Sequence, residues 1–224
     1  MDFFENGLFF FCNNYINETE RLKRFTETIE AVWTERGNEL DLNLKSNLSK
    51  APECDHQDIG ENFSYDYIEM VIKYQFLHRQ SIVITASSLV ETALYKLCEL
   101  TSSVSGKKFD LKTNKSRKSK IHKCIEHLSV VENFNMDDLK EELDHISILY
   151  KVRNEIVHNN GMVTEKLYRL NLPHLKGSFG YTIEINVDFM DFYLKIIKIF
   201  FEKLKIQTTE FIGKMSNNNI SKDM

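Results

Sequence analysis

The chain has little that bends a backbone: two prolines and eight glycines in 224 residues. So few turn formers exclude a collagen-like or Pro/Gly-driven disordered chain and favour long helices. There are four cysteines, at 12, 54, 98 and 124, with no Cys-x-x-Cys. That excludes a small disulfide-stapled scaffold and fits reduced, cytoplasmic surroundings. No apolar run reaches the roughly 18 residues of a membrane span, so no membrane partner is expected. The apolar start, Met1 to Cys12, carries two acids and no basic residue, which argues against a signal peptide. A phosphate-binding glycine-rich loop, a Gly-x-Ser-x-Gly elbow and a His-Glu-x-x-His pair are all missing. The usual nucleotide hydrolases, serine hydrolases and zinc proteases are thereby disfavoured.

What is present suffices for a core. Apolar residues make up 42% of the chain, with 16 Phe and 9 Tyr, which argues against intrinsic disorder. The length suits one domain, or one domain with an appendage. Charge is unevenly spread. Residues 1–60 carry 12 acidic and 6 basic side chains, a local net of −6, whereas residues 107–123 carry eight basic side chains against Asp110 alone, a local net of +7. The overall net of −4 conceals that basic segment.

Tyr15, Leu22, Phe25, Ile29 and Val32/Trp33 fall at spacings of one helical face. They predict an amphipathic helix from about Asn14 to Arg36, the body of an N-terminal unit 1–36 that ends near Gly37. The polar stretch 37–62, with Pro52, reads as a linker. From Phe63 to Leu100 neither Pro nor Gly interrupts the apolar positions, so one long helix, or two with a break near Gln80, is expected. A Ser/Gly loop over 101–110 leads through the basic segment into a helix over 116–131. A further helix runs from Asn135, an N-cap candidate followed by Asp137 and Asp138, to Asn159-Asn160-Gly161. Pro173, Gly177 and Gly180 then cluster, and Tyr181 to Val187 alternates strictly. This predicts a short β-hairpin, with Glu165 to Leu170 as the partner strand. A last apolar helix covers about Asp188 to Ile212, and 213–224 reads as a disordered tail. The expected fold is mainly α, a bundle of long antiparallel helices over 63–212 with a short β-hairpin inserted before the last helix.

In the helix that starts at Asn135, Leu139, Leu143, Ile146, Tyr150, Arg153 and Val157 recur at alternating spacings of four and three, and Leu149, Val152 and Ile156 widen the apolar face. Arg153 stands where the pattern calls for an apolar residue. A guanidinium near a core needs a structural carboxylate or a bound anion to offset its desolvation. Asn154 and His158 lie one turn apart on one face, with Arg153 beside them. Such a trio suits a phosphodiester: Arg grips phosphate oxygens in bidentate fashion, Asn positions a ribose or phosphate, and His moves a proton near neutral pH. The same residues also admit a structural account, with His158 satisfying carbonyls at the helix end and Arg153 paired with a buried Glu.

The run Arg153-Asn154-Glu155-Ile156-Val157-His158, late in a helix and followed by Asn-Asn-Gly, resembles the signature of the HEPN superfamily: Arg, four to six residues, then His, with a polar residue directly after the Arg. The stretch Ala86 to Leu97 resembles the helix that pairs with the motif helix in many such domains. The resemblance covers about residues 63 to 212. It implies a HEPN-like helical bundle that dimerises so that two Arg…His motifs face one cleft, and a metal-independent endoribonuclease without a cofactor. By that resemblance His158 acts on the 2′-hydroxyl or the leaving oxygen, Arg153 holds the scissile phosphate and Asn154 orients the site. The products would be a 2′,3′-cyclic phosphate and a 5′-hydroxyl. Many relatives of this type are toxins or abortive-infection effectors with an antitoxin or defence-system partner, and some are binding modules that do not cleave. Toxins controlled by a nucleotidyltransferase antitoxin often carry a Tyr two residues after the His. Here that position is Asn160, which disfavours control by modification there.

The basic segment offers an RNA-binding stripe: Lys107, Lys108, Lys112, Lys115, Arg117, Lys118, Lys120 and Lys123. A solvated loop and helix start account for it equally well, because Phe109 is its only aromatic residue. Glu91, on a largely apolar helix, is a candidate partner of Arg153 or a tuner of the cleft. His122, Cys124 and His127 are metal-ligand types at close spacing, but no fourth ligand is evident and no metal site is expected. Cys54-Asp55-His56 in the polar stretch is similar.

Overall fold

Few helix breakers translate into few, long helices. The computed structural model describes residues 7–111, 119–172 and 175–220. In chain order its helices are α1 (Phe11–Lys50), α2 (His56–Tyr67), α3 (Tyr74–Ser105), α4 (Lys120–Glu126), α5 (Lys140–His158), α6 (Glu165–Tyr168) and α7 (Val187–Ile220). A π turn, Ile68–Lys73, fuses α2 to α3, and a second, His127–Val131, extends α4. Strands β1 (Leu175–Lys176) and β2 (Glu184–Ile185) pair antiparallel, Leu175 opposite Ile185.

The frame is α1, α3, α5 and α7. Helix α1 lies antiparallel on α7: Cys12 Sγ is 3.6 Å from Thr208 Oγ1, Tyr15 stacks on Phe201, and Glu20 pairs with Lys198 at 2.6 Å. It is likewise antiparallel to α3, where Arg79 grips both oxygens of Glu30 at 2.8 and 2.7 Å and Trp33 stacks on Tyr74. Helix α5 runs antiparallel to α7, with Lys203 donating to Glu142 at 2.7 Å. Leu94, Leu97, Leu149, Phe189, Phe200 and Phe201 are fully buried between these helices. Each such side chain contributes about 1.5–3 kcal/mol by leaving water.

Several expected boundaries move. Gly37 does not end α1, and most of the stretch read as a linker, 37–62, is helical. The reason is tertiary: α2 folds back on α1, and the Tyr67 ring packs 3.6 Å from where a Cβ of Gly37 would stand. Only Ala51-Pro52, with Pro52 unable to donate a helical hydrogen bond, interrupts the run. Buried positions on α1 are Phe11, Cys12, Thr19, Thr26 and Gly37, while Phe25 and Val32 are about half exposed. Thr19 and Thr26 tolerate burial because each hydroxyl donates to the carbonyl four residues back, at 2.8 and 2.9 Å.

No break occurs near Gln80, and the irregularity falls at the π turn instead. The run Glu53–Ser105 is long and apolar enough to cross a membrane by length and composition, yet half of its most apolar window is buried inside the bundle. Glu165–Tyr168 is a helical turn, not a strand, because Thr164 caps it by accepting from the Leu167 amide. The partner of β2 is therefore Leu175–Lys176. Ile183 and Ile185 are buried and Thr182 and Glu184 exposed, so the alternation holds over these four residues, while Tyr181, which the pattern places on the buried face, is exposed. It stops at Asn186, whose side chain caps α7 by accepting from Phe189 N at 2.8 Å. Helix α7 continues to Ile220 through part of the segment expected to be disordered; the last four residues lie outside the described ones.

Candidate active site

Helix α5 is framed by its own sequence. The Asn135 side chain accepts from Asp137 N at 3.2 Å, capping the 3-10 turn Met136–Leu139 that leads into it, and Asp137, Asp138, Glu141 and Glu142 put negative charge at its positive end. Its last residue is His158. Asn159 N and Gly161 N both donate to Glu155 O at 3.0 Å, and Asn160 and Gly161 take left-handed backbones, φ 52° and 71°.

The core face of α5 is Glu142, Ile146, Leu149, Val152 and Ile156. The stripe read as a flank is thus the centre, and the seam through Tyr150, Arg153 and Val157 is the border: Tyr150 and Arg153 are half-buried and Val157 is exposed. The charged residue that enters the core is Glu142, 3% exposed, and its anion is met by Lys203.

Arg153 has no ion pair among the described residues. Its Nη1 donates to Asn154 Oδ1 at 3.0 Å, and its guanidinium lies 5.8 Å from the Tyr150 ring centroid. Glu91 does not reach Arg153 directly. It accepts from the Tyr150 hydroxyl at 3.3 Å and pairs with Lys120 at 3.1 Å. Burial, then the Glu91 carboxylate, pushes the Tyr150 hydroxyl up, so it remains a donor. The result is a line of contacts, Lys120, Glu91, Tyr150, Arg153 and Asn154, from the basic helix to the motif.

His158 is exposed and makes no hydrogen bond or ion pair among the described residues. Around α5, successive residues turn by about 100°, so Asn154 and His158 are separated by roughly 40° and Arg153 and His158 by roughly 140°. Lys151, Asn154 and His158 share one edge of the helix. Along that edge a cavity of about 460 Å³ opens between α5 and α6, lined by Lys151, Asn154, Glu155, Lys166, Leu167, Arg169 and Leu170. Three of those residues, Lys151, Lys166 and Arg169, were not singled out from sequence. Nothing in the sequence distinguishes them, because only the packing of α6 on α5 brings them around Asn154 and Leu167.

The basic stripe is divided. Lys112, Lys115, Arg117 and Lys118 lie outside the described residues. Lys107 donates to Val131 O and sits 3.5 Å from Glu132, Lys120 meets Glu91, and Lys108 and Lys123 line a separate cavity of about 290 Å³ beside His127. Lys107 and Lys120 thus serve internal carboxylates as well as surface charge.

The possible metal ligands are dispersed. His122 bonds Ser119 Oγ at 2.7 Å, Cys124 is buried against Cys98, and His127 Nε2 meets Ser102 Oγ at 2.9 Å. His56 bonds Ala51 O, and Cys54 donates to Asp55. Among the described residues no group of three or more His, Cys, Asp or Glu side chains is placed to hold a metal ion. The four cysteines are free, and burial pushes the Cys12 thiol up to about 11, where it is unreactive.

Compared with protein-family models, curated proteins and solved structures, the chain matches none.

Proposed function

We propose that this protein is a metal-independent endoribonuclease of the HEPN type, working as a homodimer as a toxin or phage-defence effector. The observation that carries the reading is the state of Arg153: half-exposed, without a carboxylate partner among the described residues, and oriented by the Tyr150 ring and the Asn154 amide. The structural account required a buried Glu against it. A guanidinium held in place yet uncompensated is suited to a phosphate.

His158, at the end of α5, takes the proton of the 2′-hydroxyl or supplies one to the departing 5′-oxygen, with solvent water completing the other transfer. Arg153 holds the two non-bridging oxygens, and Asn154 keeps the guanidinium in register. The 2′-oxygen attacks phosphorus, the bond to the 5′-oxygen breaks, and a 2′,3′-cyclic phosphate and a 5′-hydroxyl result. Because Arg153 and His158 leave one helix on sides roughly 140° apart, the site is completed by a second copy, with Arg153 of one α5 facing His158 of the other. That same divergence favours the alternative, a non-cleaving HEPN-like RNA-binding or protein-interaction module, should the chain be monomeric.

The test is incubation of the purified protein with single-stranded RNA in EDTA, beside His158→Ala and Arg153→Ala, with end-group analysis and measurement of mass in solution. Cleavage to cyclic-phosphate ends by a dimer, lost in both variants, is expected. Equal cleavage by wild type and His158→Ala rejects the reading.

A further inference from the structure

The cavity between α5 and α6 is built from three kinds of surface. Leu167, 3% exposed, and Leu170 form an apolar floor. Lys151, Lys166 and Arg169 stand around it, and Asn154 supplies an amide. Glu155 is the only acid in the lining, and both its carboxylate oxygens are engaged: Thr164 Oγ1 donates to one at 2.8 Å and Asn159 Nδ2 to the other. Since Thr164 also caps α6, Glu155 ties α6 to α5 and thereby sets the width of the cavity. Lys151 and Lys166 have no ion pair among the described residues. Arg169 meets only the exposed Glu165 one turn away, a surface pair easily exchanged for a stronger anion.

We infer that this cavity is a nucleotide subsite, holding one base of a single-stranded RNA against Leu167 and Leu170 while Lys151, Lys166 and Arg169 take the flanking phosphates. The choice of RNA rests on the ribonuclease reading of the neighbouring motif; the geometry of the cavity does not. An acidic peptide would engage the cations but leave the apolar floor and the Asn154 amide unused. A nucleotide uses all three surfaces, since a base has an apolar face and a hydrogen-bonding edge beside a charged backbone. Asn154 belongs to both places: its Oδ1 accepts from Arg153 and its side chain lines the cavity. Four residues on, about 6 Å along the helix axis, is His158. A strand seated in the cavity therefore runs directly to the motif, and the cavity sets which nucleotide lies beside the cleaved bond.

The full-length protein is titrated with a fluorescent single-stranded RNA in which every sugar is 2′-O-methylated, so that it cannot be cleaved, and binding is read by anisotropy over a range of salt. Lys166→Glu with Arg169→Glu should weaken binding by about tenfold or more and lower the salt slope by roughly two. Leu170→Ser should weaken it with little change in slope, and Lys45→Glu, on α1 and outside the cavity lining, should do neither. Circular dichroism checks that each variant is folded. A photoreactive uridine in the same RNA should crosslink to the Lys166–Leu170 peptide. Unchanged affinity in the double variant, crosslinks confined to other peptides, or equal displacement of the RNA by poly-glutamate of matched charge would each overturn the subsite. The two readings fail separately: retained cleavage by His158→Ala removes the proposed chemistry, whereas unchanged binding by the cavity variants removes the subsite.

Discussion

The Tyr150 hydroxyl donates to Glu91 Oε2 at 3.3 Å while its ring lies 5.8 Å from the Arg153 guanidinium, so one side chain stands between the acid and the base. Tyr150→Phe should keep the ring under the guanidinium and cost about 1 kcal/mol of stability for the lost hydrogen bond, with a small loss of cleavage. Tyr150→Ala removes the ring as well. Arg153 is then free to swing towards Glu91, and cleavage should fall much further. Single-turnover cleavage and thermal melts of both variants separate the effects. A Tyr150→Ala protein as active as wild type would show that the ring does not position Arg153.

Burial of Glu142 makes a second, structural prediction. Lys203 meets one of its oxygens at 2.7 Å, and the other has no hydrogen-bond partner among the described residues. Lys203→Met leaves a carboxylate in the core without its cation, and should destabilise the fold by roughly 2 kcal/mol in urea unfolding. Adding Glu142→Leu to that variant should recover most of the loss, because two apolar residues of similar size replace the pair. A double variant less stable than Lys203→Met alone would mean that the pair adds more than charge compensation.

Glu142 also explains what the sequence concealed. In the sequence Glu142 is one of several acids in the first half of the helix and nothing marks it as a core position, so the apolar pattern places the seam one stripe aside, through Arg153. The outcome depended on which stripe α7 and α3 cover, a tertiary fact. Features fixed by local chemistry were legible: the Asn135 cap, the stop at Asn159-Asn160-Gly161, and the alternation of Ile183 and Ile185. Features fixed by a distant neighbour were not. Gly37 looked like a terminator because the return of Tyr67 was invisible, and the cavity walls Lys151, Lys166 and Arg169 are ordinary surface residues until α6 folds against α5. For the motif, the run from Arg153 to His158 was legible as a set of residue types, but their spread around the helix emerged only with the border position of Arg153.

Two glycines should respond oppositely to the same substitution. At Gly37 a Cβ would stand in ordinary contact with the Tyr67 ring, 3.6 Å away, on helical backbone. Gly37→Ala should therefore stabilise the protein by about 0.5–1 kcal/mol. Gly161, with φ 71°, closes α5 in the left-handed region, and its added Cβ would meet Gln80 Nε2 at 2.7 Å. That amide can move aside, but the backbone cannot change without releasing the helix end, so Gly161→Ala should destabilise by roughly 1–2 kcal/mol. Paired melting curves check both signs. A stabilised Gly161→Ala would mean that the turn beyond His158 is not held left-handed.

Acid should loosen the fold at two buried imidazoles. Burial lowers the pKa of His78 and His127, outweighing the nearby carboxylates, Glu30 at 3.7 Å from His78 and Glu132 at 3.4 Å from His127. Arg79 beside His78 and Lys107 beside His127 act in the same direction as burial. The unfolded chain, whose imidazoles titrate near 6.5, binds these protons more readily than the folded one. Stability is therefore complete above about 6.5 and declines as pH falls through that value towards the lowered folded pKa values. Glu30 adds the same sign at more acidic pH. Burial raises its carboxyl, the bonds from Arg79 and Gln75 more than offset this, and the folded state favours the carboxylate. The melting temperature of wild type should be lower at about pH 5.5 than at about pH 7.5, and the difference should shrink in His78→Gln, in His127→Gln and most in the double variant. A difference of unchanged size in the double variant would assign the acid sensitivity to other groups.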